Sequence, residues 1–200
     1  MPERYASGIG STQYTECVLL GSIGTVGEER RGELEIVPLR GDITTEDVDA
    51  VVNAANRYLR VGGGVDRAIH AAAGEAELSA ACAELGGCEV GDAKATPGFS
   101  LRADHIIHTV GPIWAGGERD EIDLLASCYR RCLEVADELG ARSVAFPAIS
   151  TGAFGFPAEL AADIAVSTLR STPTGVHLAR LVAFDAKTLD LYRRALDPSA

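Results

Sequence analysis

Short apolar runs alternate with helical stretches along most of this chain, and that alternation restricts the fold more than any other feature. Glu33–Leu39 and Ala50–Asn53 read as strands, the first alternating in polarity and the second a buried apolar run. Val65–Ala73 reads as a helix stopped by Gly74, and Glu75–Leu85 as a second one stopped by Gly86 and Gly87. His105–Val110 is a further strand. Leu125, Cys128, Cys132, Val135 and Leu139 recur at spacings of three and four, which marks one buried face of a long helix. Ser143–Pro147 is a buried strand, and the helix after it starts at Pro157, a residue suited to the first helical position. Leu178–Phe184 and Thr188–Leu196 complete the pattern as strand and helix. Such alternation predicts an α/β fold with a mostly parallel sheet covered on both faces. Ligands of such folds sit outside the carboxyl ends of the strands.

The chain has 200 residues, enough for one sizeable α/β domain and too few for two ordinary ones. Residues 1–32 are rich in Gly, Ser, Thr and Glu and read as an N-terminal arm. Within it Thr12–Leu20 either pairs as an added edge strand or belongs to a mobile segment. Residues 33–200 read as the domain itself. With 18 basic and 29 acidic residues the net charge is −11, and a surface this acidic repels polyphosphate at long range. That argues against non-specific DNA binding and against an anionic membrane, while a small-anion site built from backbone N–H groups stays compatible with it. No apolar stretch approaches the roughly 20 residues that span a bilayer, and the N-terminus lacks a signal-peptide pattern. The five cysteines include no CxxC pair; Cys128 and Cys132, at i,i+4 in a helical pattern, read as reduced packing residues, and as a metal pair they lack a His or acidic partner at ligand spacing. The expected protein is cytoplasmic and monomeric, with no metal and no cofactor.

Three segments at the carboxyl edge carry chemistry. Val51-Val52-Asn53-Ala54-Ala55-Asn56 is followed by Gly62, Gly63, Gly64, Val65 and Asp66, so a buried strand ends in two asparagines and three glycines feed a helix. Such glycines admit a ligand to the backbone, and the helix start offers free N–H donors to phosphate, although glycines before a helix also serve as plain turns. Asp66 falls in the first turn with His70 one turn later on the same face. Asp66 there is either a helix-dipole partner or a reactive carboxylate. The second segment, Ser150-Thr151-Gly152-Ala153-Phe154-Gly155-Phe156-Pro157, also follows a strand and opens a helix. Its glycines, hydroxyls and N–H groups make a second anion cradle, and Phe154 suits stacking on a sugar or base. No Lys follows either set of glycines, so this is not a P-loop. The third segment, Arg40-Gly41-Asp42-Ile43-Thr44, places Asp42 either as an acceptor for an exocyclic amine or as a cap of a turn.

Taken together these residues resemble the macro domain family, in its branch that hydrolyses ADP-ribosyl esters and deacetylates O-acetyl-ADP-ribose. The resemblance covers roughly Leu34 to Leu196. It rests on Gly41-Asp42-Ile43-Thr44, Val52-Asn53-Ala54-Ala55-Asn56, Gly62 to Asp66 with His70, Ile107-His108-Thr109-Val110-Gly111-Pro112, and Ala148-Ile149-Ser150-Thr151-Gly152. It implies a three-layer α/β/α sandwich with a mixed, mostly parallel central sheet. It also implies that Asp42 and the Ile43 N–H hold adenine. Gly62, Gly63, Gly64 and Val65, with Ser150, Thr151, Gly152, Ala153 and Phe154, would then wrap the diphosphate and ribose. By the same resemblance Asn56, Asp66 and His70 form the catalytic set: Asn56 on the distal ribose, Asp66 on the water, His70 as support. Phe184 is the candidate neighbour of adenine.

Two departures stand out. Residues 57–61 read Arg-Tyr-Leu-Arg-Val where relatives often carry small residues, which implies a tighter rim. Position 154 is Phe where relatives often have Tyr, which keeps the ring and drops the hydroxyl. Zinc-containing relatives place Cys and His in the first glycine loop, and neither occurs there. The implied partners are ADP-ribose and proteins ADP-ribosylated on acidic residues. Competing readings are a binding module without turnover, a phosphatase of ADP-ribose phosphate derivatives, and an eraser of ADP-ribose on DNA bases. Either Asp66 or a diphosphate oxygen can take the proton of the water.

Overall fold

A computed structural model describes residues 33–197 and 199. The arm assigned to residues 1–32, Thr12–Leu20 included, lies outside the described residues. Six strands, β1 (Glu35–Arg40), β2 (Ala50–Ala54), β3 (Ala93–Pro97), β4 (His105–Thr109), β5 (Ser143–Phe146) and β6 (Leu178–Ala183), form one sheet. Five helices accompany them: α1 (Val65–Ala73), α2 (Glu75–Glu84), α3 (Glu121–Leu139), α4 (Ala158–Ser171) and α5 (Ala186–Leu196). The strand order is β1-β6-β5-β2-β4-β3, and every pairing is parallel except that of β3 with β4.

The strands read as continuous apolar runs because both faces of the sheet are covered. Successive side chains alternate between two cores. Ala50, Val52, Ile107, Val144, Phe146, Leu181 and Ala183 pack into the larger one, with buried residues of α3, α4 and α5. Val51, Ile106, Ala145 and Val182 turn the other way, toward Ile69 and Ala73 of α1 and Leu78 and Cys82 of α2. The result is the expected α/β/α sandwich with a mixed sheet. Among the described strands the two outermost each contain a proline, Pro38 in β1 and Pro97 in β3.

Where the structure departs from the sequence-based expectation, local chemistry explains it. Strand β3 was not expected, because Ala-Lys-Ala-Thr-Pro has little intrinsic strand preference; antiparallel pairing with β4 creates it. Helix α5 starts at Ala186 and not at Thr188, since Asp185 accepts the Thr188 N–H at 2.7 Å and caps the helix two residues earlier. Leu139 is 36% exposed, because α3 ends beside it in a left-handed Gly140, so the buried face of that helix stops at Ala136. Strand β1 runs Glu35–Arg40, two residues further from the start and one beyond the expected end, in register with β6 as far as Ala183. Strands β4, β5 and β6 and helix α2 each end one residue before their expected limits. Cys82, Cys88, Cys128 and Cys132 are free and buried. No described helix is long and apolar enough to cross a membrane.

Candidate functional site

Four parallel strands deliver loops to one edge of the sheet, and a cavity of about 930 Å³ opens there. That size lies within the roughly 300–1,000 Å³ usual for small-ligand sites. Asp42, Ile43, Asn56, Gly62, Gly63, Gly64, Val65, Asp66, Ser150, Thr151, Gly152, Ala153, Phe154 and Phe184 all line it. Residues as far apart as Gly41 and Thr188 thus share one wall, brought together by the topology: the loops after β1, β2, β5 and β6 all end at the same edge.

The first glycine loop joins β2 to α1. Gly64 precedes the helix at φ +59°, a left-handed conformation that glycine adopts freely, and no side chain caps the helix. The opening N–H groups of α1 are therefore free for a ligand, and the helix dipole adds positive potential there. No atom lies within 4 Å of where a Cβ would stand at Gly63 or Gly64, so that wall is open space. Asn56 shapes the adjoining turn: its Oδ1 accepts the Tyr58 and Arg60 N–H groups at 3.1 and 3.3 Å, and its Nδ2 donates to the Arg60 carbonyl. Leu59 turns into the smaller core, while Tyr58 is 76% exposed. The Arg60 guanidinium lies 5.8 Å from the Tyr58 ring centre.

Asp66 is buried, yet it forms part of the cavity wall. Its Oδ2 accepts the Gly62 N–H at 2.5 Å and its Oδ1 accepts Asn53 Nδ2 at 2.7 Å. Both oxygens are thus anchored, which fixes the plane of the carboxylate. A Cβ at Gly62 would stand 3.2 Å from Asp66 Oδ2, so the glycine is what lets the backbone meet the carboxylate. His70 stands apart from the other site candidates. It is buried behind Asp66, its Nε2 3.8 Å from Asp66 Oδ1, and it does not line the cavity. Its place is that of a support to Asp66, outside the reach of a ligand.

The second loop joins β5 to α4. Ser150 takes a left-handed conformation at φ +65°, and its buried hydroxyl has no hydrogen-bond partner. Gly111, after β4, sits against it: a Cβ there would come within 2.1 Å of Ser150 Oγ. The Phe154 carbonyl accepts the Trp114 N–H at 2.9 Å, and the Trp114 ring packs on Phe156 at 4.7 Å between centroids. Helix α4 begins after Pro157 with no side-chain cap, so it too presents free N–H groups.

At the far end Asp42 Oδ1 accepts the Thr44 N–H at 3.0 Å and the Thr44 hydroxyl at 2.8 Å. The turn-capping reading therefore holds for that oxygen, in a residue that also lines the cavity. Phe184 is 87% exposed at the rim. Sequence reasoning passed over Asp185, Lys187 and Thr188, which line the same end. Their signal was the Asp-Ala-Lys-Thr start of α5. It also assigned no role to Asn53 and His108. Their signal was a polar residue directly after a short buried apolar run, Asn53 after Val51-Val52 and His108 after Ile106-Ile107.

Comparison with known proteins gives a consistent result. The family model described as "Macro domain" matches residues 52–165. A macro domain-containing protein of Ralstonia nicotianae is 55% identical over 159 residues, 80% of this chain and 92% of that protein. Among solved structures, a macrodomain of Oceanobacillus iheyensis with ADP superposes with a TM-score of 0.78 at 40% identity. That match covers 83% of this chain and 92% of the other. A macrodomain of Trypanosoma brucei in complex with ADP-ribose superposes with a TM-score of 0.74 at 37% identity, over 80% and 68% of the two chains.

Proposed function

This chain belongs to the macro domain family, and from that premise we propose that it binds ADP-ribose in the edge cavity and hydrolyses ADP-ribosyl esters. The substrates are proteins carrying ADP-ribose on Glu or Asp, and O-acetyl-ADP-ribose. The observation that carries the reading is Asp66, a buried carboxylate with both oxygens anchored, set in the wall beside an uncapped helix start. A protein that only recognised the nucleotide would need the two N–H cradles and would have no use for a carboxylate placed where it repels phosphate.

In this reading adenine lies at Asp42 and Ile43, with Phe184 beside it. The diphosphate spans the uncapped starts of α1 and α4, and the distal ribose reaches Asn56. Asp66 orients one water against the ester. The elements of that water are divided between the products, the free acceptor carboxylic acid and ADP-ribose. An ester leaves without a strong acid, so a positioned water and one proton acceptor suffice. General-base assistance contributes typically about 10²–10⁴-fold, and positioning supplies more. The proton acceptor is Asp66 or an oxygen of the bound diphosphate.

The test is a side-by-side assay of proteins ADP-ribosylated on acidic residues, on serine and on arginine, with release of ADP-ribose measured over time. Release from the acidic-residue esters alone is the expected outcome. Tight ADP-ribose binding with no release from any of the three would leave a binding module.

A further inference from the structure

The smaller core, apolar elsewhere, is crossed by a line of polar side chains that ends on Asp66. Asn53 of β2 and His108 of β4 are register partners, fully buried, on the face of the sheet that α1 and α2 cover. Asn53 Nδ2 lies 2.7 Å from Asp66 Oδ1 and 3.1 Å from His108 Nδ1. On the far side of the ring His108 Nε2 lies 3.0 Å from Thr96 Oγ1 in β3, with Cys82 Sγ at 3.8 Å.

The chemistry of these groups allows one assignment of protons. An amide nitrogen carries two hydrogens and a carboxylate only accepts, so Asn53 gives one hydrogen to Asp66 and the other to His108 Nδ1. Nδ1 is then an acceptor, and the neutral ring carries its proton on Nε2, directed at Thr96. Burial holds this imidazole neutral, pushing it down to about 3, and the neighbouring His70 acts in the same direction. The reverse orientation of Asn53 would set its carbonyl against a carboxylate. As drawn, Asn53 Oδ1 has no hydrogen-bond partner. An unpartnered buried carbonyl is destabilising, and a residue placed only to fill the core would avoid it. Neither Asn53, His108 nor Thr96 lines the cavity.

We propose that Asn53, His108 and Thr96 act as a positioning relay that fixes the orientation of the Asp66 carboxylate toward the water. The proposal rests on the hydrolase reading above. Asn53 holds Asp66 Oδ1, His108 Nδ1 takes the second amide hydrogen and so keeps the Asn53 amide from turning, and Thr96 accepts the proton this leaves on Nε2. Binding of ADP-ribose depends on the cradles and is independent of this chain of contacts. The relay therefore separates turnover from affinity.

The experiment compares the wild type with His108→Leu, His108→Gln and Thr96→Val, measuring kcat on an acidic-residue ester and ADP-ribose Kd on the same folded preparations. His108→Leu is expected to lower kcat about tenfold or more with Kd within about threefold. In His108→Gln the amide can still accept from Asn53 and donate to Thr96, and kcat should return to within about threefold of wild type. Thr96→Val, which keeps the side-chain volume, is expected to lower kcat about threefold and supplies the answer if His108→Leu does not fold. Nitrogen NMR of His108 should show a neutral ring protonated on Nε2. Wild-type kcat in both His108→Leu and Thr96→Val, or a proton on Nδ1, overturns the relay. A wild-type protein that binds ADP-ribose and cleaves no ester overturns the hydrolase reading, and the relay's catalytic role with it.

Discussion

The two glycine loops are built alike and equipped differently. Each follows a buried strand, turns through left-handed residues and opens a helix without a side-chain cap, at Gly64 before α1 and at Ser150 and Gly155 before α4. The first holds a carboxylate, Asp66, tied by its Oδ1 to the polar line through Asn53. The second holds backbone N–H groups, two hydroxyls and Phe154, with no ionisable side chain in Ser150–Pro157. Backbone donors bind an anion at any pH and donate no proton, so the second loop is equipped to grip. The first can grip and also take part in chemistry. In the proposed function one local architecture serves two ends, and what distinguishes the loops is a single buried acid with its supports.

The sharpest way to break this contrast is Asp66→Ala. Hydrolysis should fall by about a hundredfold or more, roughly 2.7 kcal/mol of transition-state stabilisation, with ADP-ribose affinity within about threefold. Single-turnover kinetics and calorimetry on one preparation decide it, and an unchanged kcat would move proton abstraction to the diphosphate.

Acid should weaken the first loop's support and spare the second. His108 is held near 3 by burial, against an ordinary value of 6.5. An unfolded chain takes up a proton there that the native one refuses, so the stabilisation is complete above pH 6.5 and is lost as the pH falls toward 3. Urea midpoints at pH 6.5 and pH 5 should differ by about 2 kcal/mol from this group. His108→Gln should remove that share of the slope.

Gly111→Ala attacks the other loop. The added Cβ meets Ser150 Oγ at 2.1 Å and Ile149 Cγ2 at 2.7 Å, so the second cradle must shift. Stability should drop by about 1–3 kcal/mol. ADP-ribose affinity should drop by about tenfold, or 1.4 kcal/mol, while kcat at saturation changes little; equal losses in both would erase the proposed division of labour. The smallest effect is expected for Asp42→Ala, far from either loop. Loss of the turn cap and of one acceptor for adenine should weaken binding by about 1 kcal/mol, read as a Kd change with kcat intact.

Most of the layered fold was legible because burial on two faces leaves an unmistakable mark: continuous apolar strands separated by helices with glycine stops, as at Gly74 and Gly86. The cavity-lining residues were legible for a related reason, since ligand-facing backbone needs glycine and free helix starts, and both can be read from Gly62–Asp66 and Ser150–Pro157. What escaped depends on contacts between distant residues. Ala93–Pro97 becomes a strand only because β4 lies beside it. Asn53, His108 and Thr96 are three isolated polar residues in sequence, and only the register of β2, β4 and β3 lines them up. Helical spacing places His70 beside Asp66 on one face of α1, but not which of the two reaches the cavity.

The prolines of the two outermost described strands bear on how molecules of this protein meet one another. A proline has no N–H, so Pro38 and Pro97 each leave a gap in the row of donors along their strand. Strands from separate molecules join by continuing such rows, and a gap in the middle of β1 or at the end of β3 removes the partner for that continuation. Among the described strands, the sheet whose carboxyl edge carries the cavity is poorly suited to grow along its sides, and crowding should not readily turn it into a seed for aggregates.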